Sequence, residues 1–271
     1  MSELLKRTLT AIVFTVVFLS AILLGKITFL CLFFGIMAGC LWEFYALFDL
    51  SENPVMRIRG FILSLTLFLF TVIYVLSIIG IEVFLLLIPA FFLFPVSTLF
   101  IPRKETIIST ALTLWGIFYC VVPVCLFICI GFINHHQYQY HLLLGPIFYI
   151  WVNDTGAYLF GKMFGKNRMF EKISPGKTWE GFLGGALSAL LLGYFLGQFF
   201  TELVRWQWMV LALIVVLSGT IGDLVESLYK RELKIKDSGS FFPGHGGMLD
   251  RFDSFLMAAP FVFIFLMLIK N

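Results

Sequence analysis

The sequence predicts an all-α polytopic membrane protein with about nine transmembrane helices and a cytosolic N-terminus. Of its 271 residues, 60% are apolar, well above the roughly 45–50% of a soluble domain. Apolar runs recur along the chain at about the 20 residues that a helix needs to cross a bilayer. Basic residues collect in alternate loops between these runs. Because no long polar stretch interrupts the pattern, residues 1–271 are predicted to form a single integral membrane domain.

The apolar runs place the predicted spans. They lie at 9–25, 27–48, 61–79, 82–101, 107–133, 142–162, 181–201, 207–229 and 252–269. Short turns at Lys26 and at Gly80-Ile81-Glu82 must divide two of the longer runs. The run from Leu9 to Leu24 is long for a signal peptide, and no small-residue cleavage site follows it. It is therefore predicted to be an uncleaved first span.

The basic residues assign a side to each loop. With nine spans and a cytosolic N-terminus, 16 of the 19 lysines and arginines lie in cytosolic loops, and only Lys26, Arg205 and Lys270 lie on the other side. This asymmetry is the one that the positive-inside rule describes. Residues 1–135, with the first five spans, are predicted to be a scaffold, and 142–271, with the last four, to carry the functional site.

Four acidic residues lie within or at the edge of the apolar runs: Glu43, Asp154, Asp223 and Glu226. A carboxylate at membrane depth is unfavourable by a few kcal/mol or more unless it is paired, hydrated or bound to metal. Such residues are therefore candidates for function. For Glu43, pairing with a basic residue such as Arg57 is an equally weighted structural alternative.

The stretch from Asp223 to Ser254 is the densest group of ionisable residues in the chain. Asp223, Glu226, Ser227 and Lys230 are spaced so that they share one face of a helix. Asp250 and Asp253 are three residues apart. Carboxylates, cations and glycine-rich backbone in one loop can hold metal ions and phosphates. Interfacial salt bridges, such as Asp223 with Lys230, are the structural alternative.

The predicted topology brings several helix ends to the cytosolic surface. Asp154 and Asp223 lie near the ends of two inward-running helices, and Asp250 lies at the start of an outward-running one. Their carboxylates can converge on a divalent cation, with Asp253 completing the set or orienting Arg251. Oxygen ligands favour Mg²⁺, and a second cation such as K⁺ is left open. The metal candidates are Asp154, Asp223, Asp250 and Asp253.

A second polar block precedes the seventh span at Ser174-Pro-Gly-Lys177-Thr178-Trp-Glu180-Gly181. A phosphate-binding P-loop is excluded because Glu171 stands where that motif requires glycine. The small residues at Gly181, Gly184 and Gly185 are typical of close packing between membrane helices.

These blocks resemble a known signature. Ser227-Leu-Tyr-Lys230-Arg231, Lys236-Asp237, Pro243-Gly-His245-Gly-Gly247 and Asp250-Arg251-Phe-Asp253 are similar to the signature of the phosphatidate cytidylyltransferases, or CDP-diacylglycerol synthases. The block from Ser174 to Gly181 resembles the other conserved loop of that family. The resemblance implies transfer of a cytidylyl group from CTP to phosphatidate, giving CDP-diacylglycerol and pyrophosphate in phospholipid biosynthesis.

The resemblance and the local chemistry together assign roles to residues. The predicted catalytic residues are Asp223, Asp250, Lys177, Arg251 and His245. The predicted substrate-binding residues are Ser174, Lys177, Thr178, Ser227, Lys230, Arg231, Lys236, Asp237, His245, Gly246 and Gly247.

The expected location is the bacterial inner (plasma) membrane, with the active site on the cytosolic face. The expected partners are CTP, phosphatidate and bilayer lipids, with no nucleic acid; a homodimer is left open. One alternative is another CTP-using lipid enzyme such as a polyprenol kinase. A transporter or cation channel is the alternative from a different class, although the ionisable groups cluster at one face and no inverted repeat is visible.

Overall fold

A computed structural model of the chain describes residues 3–48, 54–96, 99, 106–134, 137–239, 241–242 and 246–270. Most of these residues are helical. The first half contains α1 (Glu3–Leu23), α2 (Lys26–Leu47), α3 (Pro54–Val75), a 3-10 helix (Ile81–Leu86) that leads into α4 (Leu87–Val96), α5 (Thr106–Gly116), a π-helical turn (Ile117–Val121) and α6 (Val122–Ile130). The second half contains α7 (Tyr140–Phe164), β1 (Arg168–Phe170), β2 (Ser174–Thr178), α8 (Trp179–Phe199), α9 (Arg205–Glu232) and α10 (Leu249–Lys270).

Among the described residues, six helical segments are long and apolar enough to cross a membrane. They are Lys26–Leu47, Met56–Val75, Ile107–Ile130, Trp179–Phe199, Arg205–Glu232 and Leu249–Lys270. Two shorter apolar helices, Thr8–Leu23 and Ile81–Val96, coincide with predicted spans, as does α7. The prediction of a helical integral membrane protein is confirmed, whereas the count of nine spans and the cytosolic N-terminus stay predictions.

Both predicted breaks between long apolar runs are present. The first falls at Gly25, whose φ of 133° lies in a region that glycine adopts more readily than other residues. The second falls just after α3, where Ser77 has a φ of 58° and the 3-10 helix then begins at Ile81.

The predicted span at 107–133 is continuous but not uniformly α-helical. Its middle, Ile117–Val121, is a π-helical turn directly before Pro123. Proline has no backbone N–H and its ring crowds the carbonyl four residues earlier, so a helix adjusts its hydrogen bonding at that point. The α-helix then ends at Ile130, three residues before the predicted end.

The contacts divide the chain into two compact units. Unit 1 contains Met1–Tyr138 together with Ser238–Leu249. Aromatic rings fill its core: the rings of Phe29 and Phe33 lie 4.7 Å apart, and those of Phe33 and Phe127 lie 5.2 Å apart. The described residues of the loop 238–249 thus belong to the same unit as the helices of the predicted scaffold.

Unit 2 contains Gln139–Asp237 and Asp250–Asn271. In it α7, α8 and α9 pack against one another, and the connection between α7 and α8 folds into the antiparallel pair β1–β2. This hairpin was not part of the all-α prediction. The division of the chain into a scaffold, 1–135, and a site-bearing part, 142–271, stays a prediction.

Candidate active site

The site in unit 2 is built on close packing of α7 against α8. A Cβ atom added at Gly181 would lie 2.8 Å from the carbonyl oxygen of Ala157, and one at Gly185 would lie 2.7 Å from that of Asn153. Gly184 is packed in the same way against the ring of Phe160. The interpretation of these glycines as packing residues is confirmed, and their close approach brings Asp154 on α7 near the start of α8.

The β1–β2 hairpin positions the second polar block, which runs from Ser174 to Gly181. Its strands pair Arg168 with Thr178, and the Glu180 carboxylate anchors the hairpin by accepting hydrogen bonds from the Asn167 backbone N–H, at 3.2 Å, and side-chain amide, at 2.7 Å. The hydroxyl of Thr178 accepts a hydrogen bond from the Gly181 N–H at 3.1 Å, which caps α8. The predicted substrate residue Thr178 is thus buried and engaged in capping, and Lys177 lies two residues before the first residue of the helix.

Lys177 reaches from β2 to α9. Its ammonium nitrogen lies 2.7 Å from Oδ2 of Asp223 and 3.5 Å from the carbonyl oxygen of Thr220. The other carboxylate oxygen of Asp223, Oδ1, accepts a hydrogen bond from the hydroxyl of Ser227 at 3.2 Å. The spacing of Asp223 and Ser227 on one helical face is therefore confirmed. The ion pair of Asp223 is with Lys177 and not with Lys230, which was the structural alternative.

Asp154, Lys177 and Asp223 line one cleft of about 640 Å³, part of which is open to the surroundings. The Asp154 carboxylate interacts electrostatically with Asp223 and Lys177 and is hydrogen-bonded to the Asn153 amide. Asn153 and Thr220 also line the cleft, and neither was predicted from the sequence. Only the neighbouring acids Asp154 and Asp223 could have indicated them. The cleft offers a cation and two carboxylates on one concave surface, which is suited to phosphates and metal ions.

A second polar cluster joins α9 to α10. The Lys230 ammonium lies 2.5 Å from Oε2 of Glu226 and 2.7 Å from Oδ1 of Asp250. Glu226 is 2% exposed and Asp250 is 10% exposed, so the charges are held largely away from solvent. Asp250, a predicted metal ligand, is thus paired with a lysine in this structure, and Glu226 acts as the second partner of that lysine.

The start of α10 packs tightly against α9. A Cβ atom at Gly222 would lie 2.6 Å from the carbonyl oxygen of Asp253. The carboxylate of Asp253 accepts a hydrogen bond from the Ser254 N–H at 2.6 Å and interacts electrostatically with Asp223 and Asp154. The C-terminal parts of α7 and α9 and the beginnings of α8 and α10 therefore come together in unit 2.

The remaining predicted residues are more dispersed. Arg231 is exposed, and its Nε donates to the carbonyl oxygen of Ile173 at 3.2 Å, next to Ser174 in β2. Arg251, Lys236 and Asp237 are exposed. Arg251 interacts electrostatically with Asp154.

The glycine-rich loop belongs to unit 1. Gly246 has a φ of 84°, and its carbonyl oxygen accepts a hydrogen bond from the Phe242 N–H at 3.0 Å. Gly247 is buried against the Glu43 carboxylate. Pro243, Gly244 and the predicted catalytic residue His245 lie outside the described residues.

Glu43 is bound by this loop and not by Arg57. The carboxylate accepts hydrogen bonds from Ser238 and from the backbone of Met248 and Leu249. The guanidinium of Arg57 instead lies 3.6 Å from the centre of the Trp42 ring. The alternative in which Glu43 pairs with Arg57 is therefore wrong.

A sequence model described as the cytidylyltransferase family matches residues 5–269. This chain belongs to the cytidylyltransferase family. Three relatives of this cytidylyltransferase carry the name phosphatidate cytidylyltransferase. The protein from Staphylococcus epidermidis is 34% identical over 273 residues, covering 96% of this chain and 98% of the relative. The family resemblance of the motifs is thus confirmed.

The other two relatives match over a shorter region. The proteins from Staphylococcus aureus and Staphylococcus haemolyticus are 42% and 40% identical over 153 residues. Each alignment covers 55% of this cytidylyltransferase and 58% of the relative.

The described residues of the cytidylyltransferase contain no group of three His, Cys, Asp or Glu side chains that could hold a metal ion as it stands. Asp154 and Asp223 are the two carboxylates that line the cleft. Their oxygen donors suit a hard cation such as Mg²⁺. Other ligands would have to come from substrate phosphates or water, as is usual for Mg²⁺.

Proposed function

We propose that this cytidylyltransferase transfers a cytidylyl group from CTP to phosphatidate, giving CDP-diacylglycerol and pyrophosphate. The observation that carries the proposal is the cleft in unit 2, where Lys177, Asp154 and Asp223 converge among helices apolar enough to lie in a membrane. A lipid-embedded protein with a polar cleft of this kind can bring an anionic lipid headgroup to an anionic nucleotide. The name of the relatives, phosphatidate cytidylyltransferase, supports the same pair of substrates.

The reaction joins two anions. A phosphate oxygen of phosphatidate attacks the α-phosphorus of CTP and forms a new P–O bond. The bond from the α-phosphorus to the bridging oxygen of the β-phosphate breaks, and pyrophosphate leaves with that electron pair. The attacking phosphate is already ionised, so no general base is required. Catalysis then depends on positioning the reactants and offsetting their repulsion.

Different side chains of unit 2 position the reactants and offset their repulsion. Lys177 contacts phosphate oxygens in the cleft, with Asp223 and Thr220 orienting its ammonium group. The exposed guanidinium groups of Arg231 and Arg251 bind further phosphate oxygens, for which their planar fork is suited. The two carboxylates that bind Lys230 offset its charge, so its role is to hold Asp250 in place.

The cleft carboxylates Asp154 and Asp223 would hold Mg²⁺ jointly with the nucleotide phosphates. When bound, the ion supplies positive charge that stabilises the leaving pyrophosphate. Asp250 and Asp253 remain candidate ligands, and a second cation such as K⁺ remains part of the proposal. A homodimer also stays a prediction.

The protein is proposed to lie in the bacterial inner membrane with nine spans, its N-terminus and its active site facing the cytosol. The distribution of 16 of 19 basic residues to one side supports this orientation. CTP is a cytosolic metabolite, so a cytosolic site gives the substrate direct access. The acyl chains of phosphatidate would remain in the bilayer and approach between the helices.

The deciding experiment supplies purified protein with phosphatidate and each of the four nucleoside triphosphates in turn. With CTP labelled at the α-phosphate, the label should enter the lipid and pyrophosphate should appear in equal amount. CTP labelled at the γ-phosphate should leave the lipid unlabelled. Transfer of the γ-phosphate to a polyprenol would indicate the kinase alternative. A transmembrane flux without any covalent product would indicate a transporter.

A further inference from the structure

Glu43 is a buried carboxylate in α2 with no part in the reaction described above. Its side chain is 7% exposed, and the helix around it is apolar and long enough to cross a membrane. A charged group in such a place is unfavourable unless hydrogen bonds or a counter-charge compensate it. The contacts of Glu43 therefore indicate what the carboxylate is for.

Three hydrogen bonds to the Glu43 carboxylate come from one loop. Oε1 accepts a hydrogen bond from the backbone N–H of Met248 at 2.8 Å. Oε2 accepts one from the N–H of Leu249 at 2.8 Å and one from the hydroxyl of Ser238 at 3.0 Å. Ser238 and the pair Met248-Leu249, at the two ends of the segment 238–249, are thus bound to the same carboxylate.

Two glycines let the loop come this close. A Cβ atom at Gly239 would lie 2.7 Å from Cδ of Glu43, and one at Gly247 would lie 2.8 Å from the same atom. Any larger residue at either position would have to move the carboxylate or the loop. The Gly247 of the family motif therefore has a packing role that sequence analysis did not distinguish from phosphate binding.

The carboxylate also determines where α10 begins. Leu249 is the first residue of α10, and the first N–H groups of a helix have no partner within the helix. The charge of Glu43 is favourable beside these groups, as is any anion at a helix N-terminus. Asp250 and Arg251 are the next two residues of the chain.

We infer that Glu43 is a positioning residue of the cytidylyltransferase, holding the loop 238–249 and the start of α10 in the arrangement that the reaction requires. The inference rests on the proposed function for its catalytic consequence. It assigns a role to a carboxylate that lies about 200 positions away in sequence from the motif that it organises.

The test compares Glu43→Gln with Glu202→Gln. The carboxylate of Glu202 is also largely buried, at 15% exposure, and pairs with His141 outside the proposed site. A glutamine at 43 keeps the shape but turns an N–H group toward a backbone donor. In amide hydrogen exchange of the protein in lipid nanodiscs, Met248 and Leu249 should exchange about tenfold faster or more in Glu43→Gln, because each loses a charge-assisted hydrogen bond.

The same two variants are compared for activity and for thermal unfolding. Glu43→Gln should lower kcat about tenfold or more, whereas Glu202→Gln should stay within about twofold of wild type even if both unfold at lower temperature. Ser238→Ala removes one donor and leaves two, so it should give a smaller change in the same direction. It keeps the test informative if Glu43→Gln does not fold.

A steric pair completes the test. Gly247→Ala should reproduce the faster exchange at the loop, and Gly35→Ala should not, since an added Cβ at Gly35 on the same α2 helix meets nothing within 4 Å. Unchanged exchange at Met248 and Leu249 in Glu43→Gln, or an unchanged kcat, would overturn the inference. The exchange measurement needs no turnover, so it decides the loop's attachment even if wild-type protein forms no CDP-diacylglycerol.

Discussion

The ammonium nitrogen of Lys177 lies 2.7 Å from Oδ2 of Asp223, and this contact joins the hairpin before α8 to the last third of α9. Both side chains remain partly exposed, Lys177 at 24% and Asp223 at 37%. An ion pair with this exposure contributes only about 0–1 kcal/mol to stability. The pair therefore contributes little to the stability of the fold.

Lys177→Met should separate binding in the cleft from stability of the fold. The variant keeps much of the side-chain length and loses the charge, so it should lower kcat/KM for CTP by about 10- to 100-fold, the range expected for a lost hydrogen bond to a charged group. Its thermal midpoint in detergent should stay close to that of wild type. Lys172→Met, an exposed lysine of the same hairpin, serves as the control and should retain activity. Equal activity in both lysine variants would show that Lys177 is not a phosphate ligand.

Lys230→Met, unlike Lys177→Met, should strongly lower the stability of the fold. Lys230→Met leaves the carboxylates of Glu226 and Asp250 buried together without their shared cation. Breaking a buried ion pair in this way costs about 3–5 kcal/mol, so thermal or denaturant unfolding should show a much larger loss for Lys230→Met than for Lys177→Met. The double variant Glu226→Gln/Lys230→Met should recover part of the loss, because one uncompensated charge is removed. A stability loss no greater than that of Lys177→Met would contradict the buried cluster.

The metal proposal is tested through Asp223. Asp223→Asn keeps the volume of the side chain and removes the ligand charge, so turnover should fall about a hundredfold or more while the protein still inserts and purifies. Chelator should abolish wild-type activity and Mg²⁺ should restore it. Binding of Mn²⁺ in place of Mg²⁺, measured by electron paramagnetic resonance in the presence of CTP, gives a readout independent of turnover. Full activity of wild type in chelator would assign the cleft carboxylates to ion pairs alone.

The proposed orientation is tested by labelling from one side. In a version without the five native cysteines, single cysteines are placed at Lys236 and at Gln137, which the nine-span topology puts on opposite sides. A membrane-impermeant thiol reagent added to intact cells should label the cysteine at 137 and not the one at 236. Labelling of both from the outside would eliminate the nine-span arrangement.

Much of the fold was predictable because membrane helices depend on local composition. The breaks at Gly25 and before Ile81 followed from where the apolar runs end, and the packing role of Gly181 followed from small-residue spacing. The π-helical turn before Pro123 and the hairpin that carries Lys177 did not follow. Both depend on how backbone hydrogen bonds are redistributed locally, which an apolar or polar pattern does not specify.

The charged residues that line the cleft were among the candidates, but their ion pairs were not predicted. Lys177 and Asp223 were both candidates, yet the sequence offered Lys230 as the partner of Asp223 through helical spacing. The structure instead pairs Lys230 with Glu226 and Asp250, because the close approach of α9 and α10 at Gly222 brings Asp250 within reach. The partner across a helix interface cannot be read from the periodicity of one helix.

By itself the sequence determined the membrane class, the family and the residues of unit 2 that carry charge into an apolar setting. These properties depend on local composition and on motifs. A charged residue within an apolar run can be recognised from the sequence without knowing how the chain folds. Only the tertiary structure decided which groups bind Glu43, because its hydrogen-bond donors lie some 200 residues further along the chain. A buried carboxylate takes the donors that folding brings to it, so its partners depend on packing between distant segments.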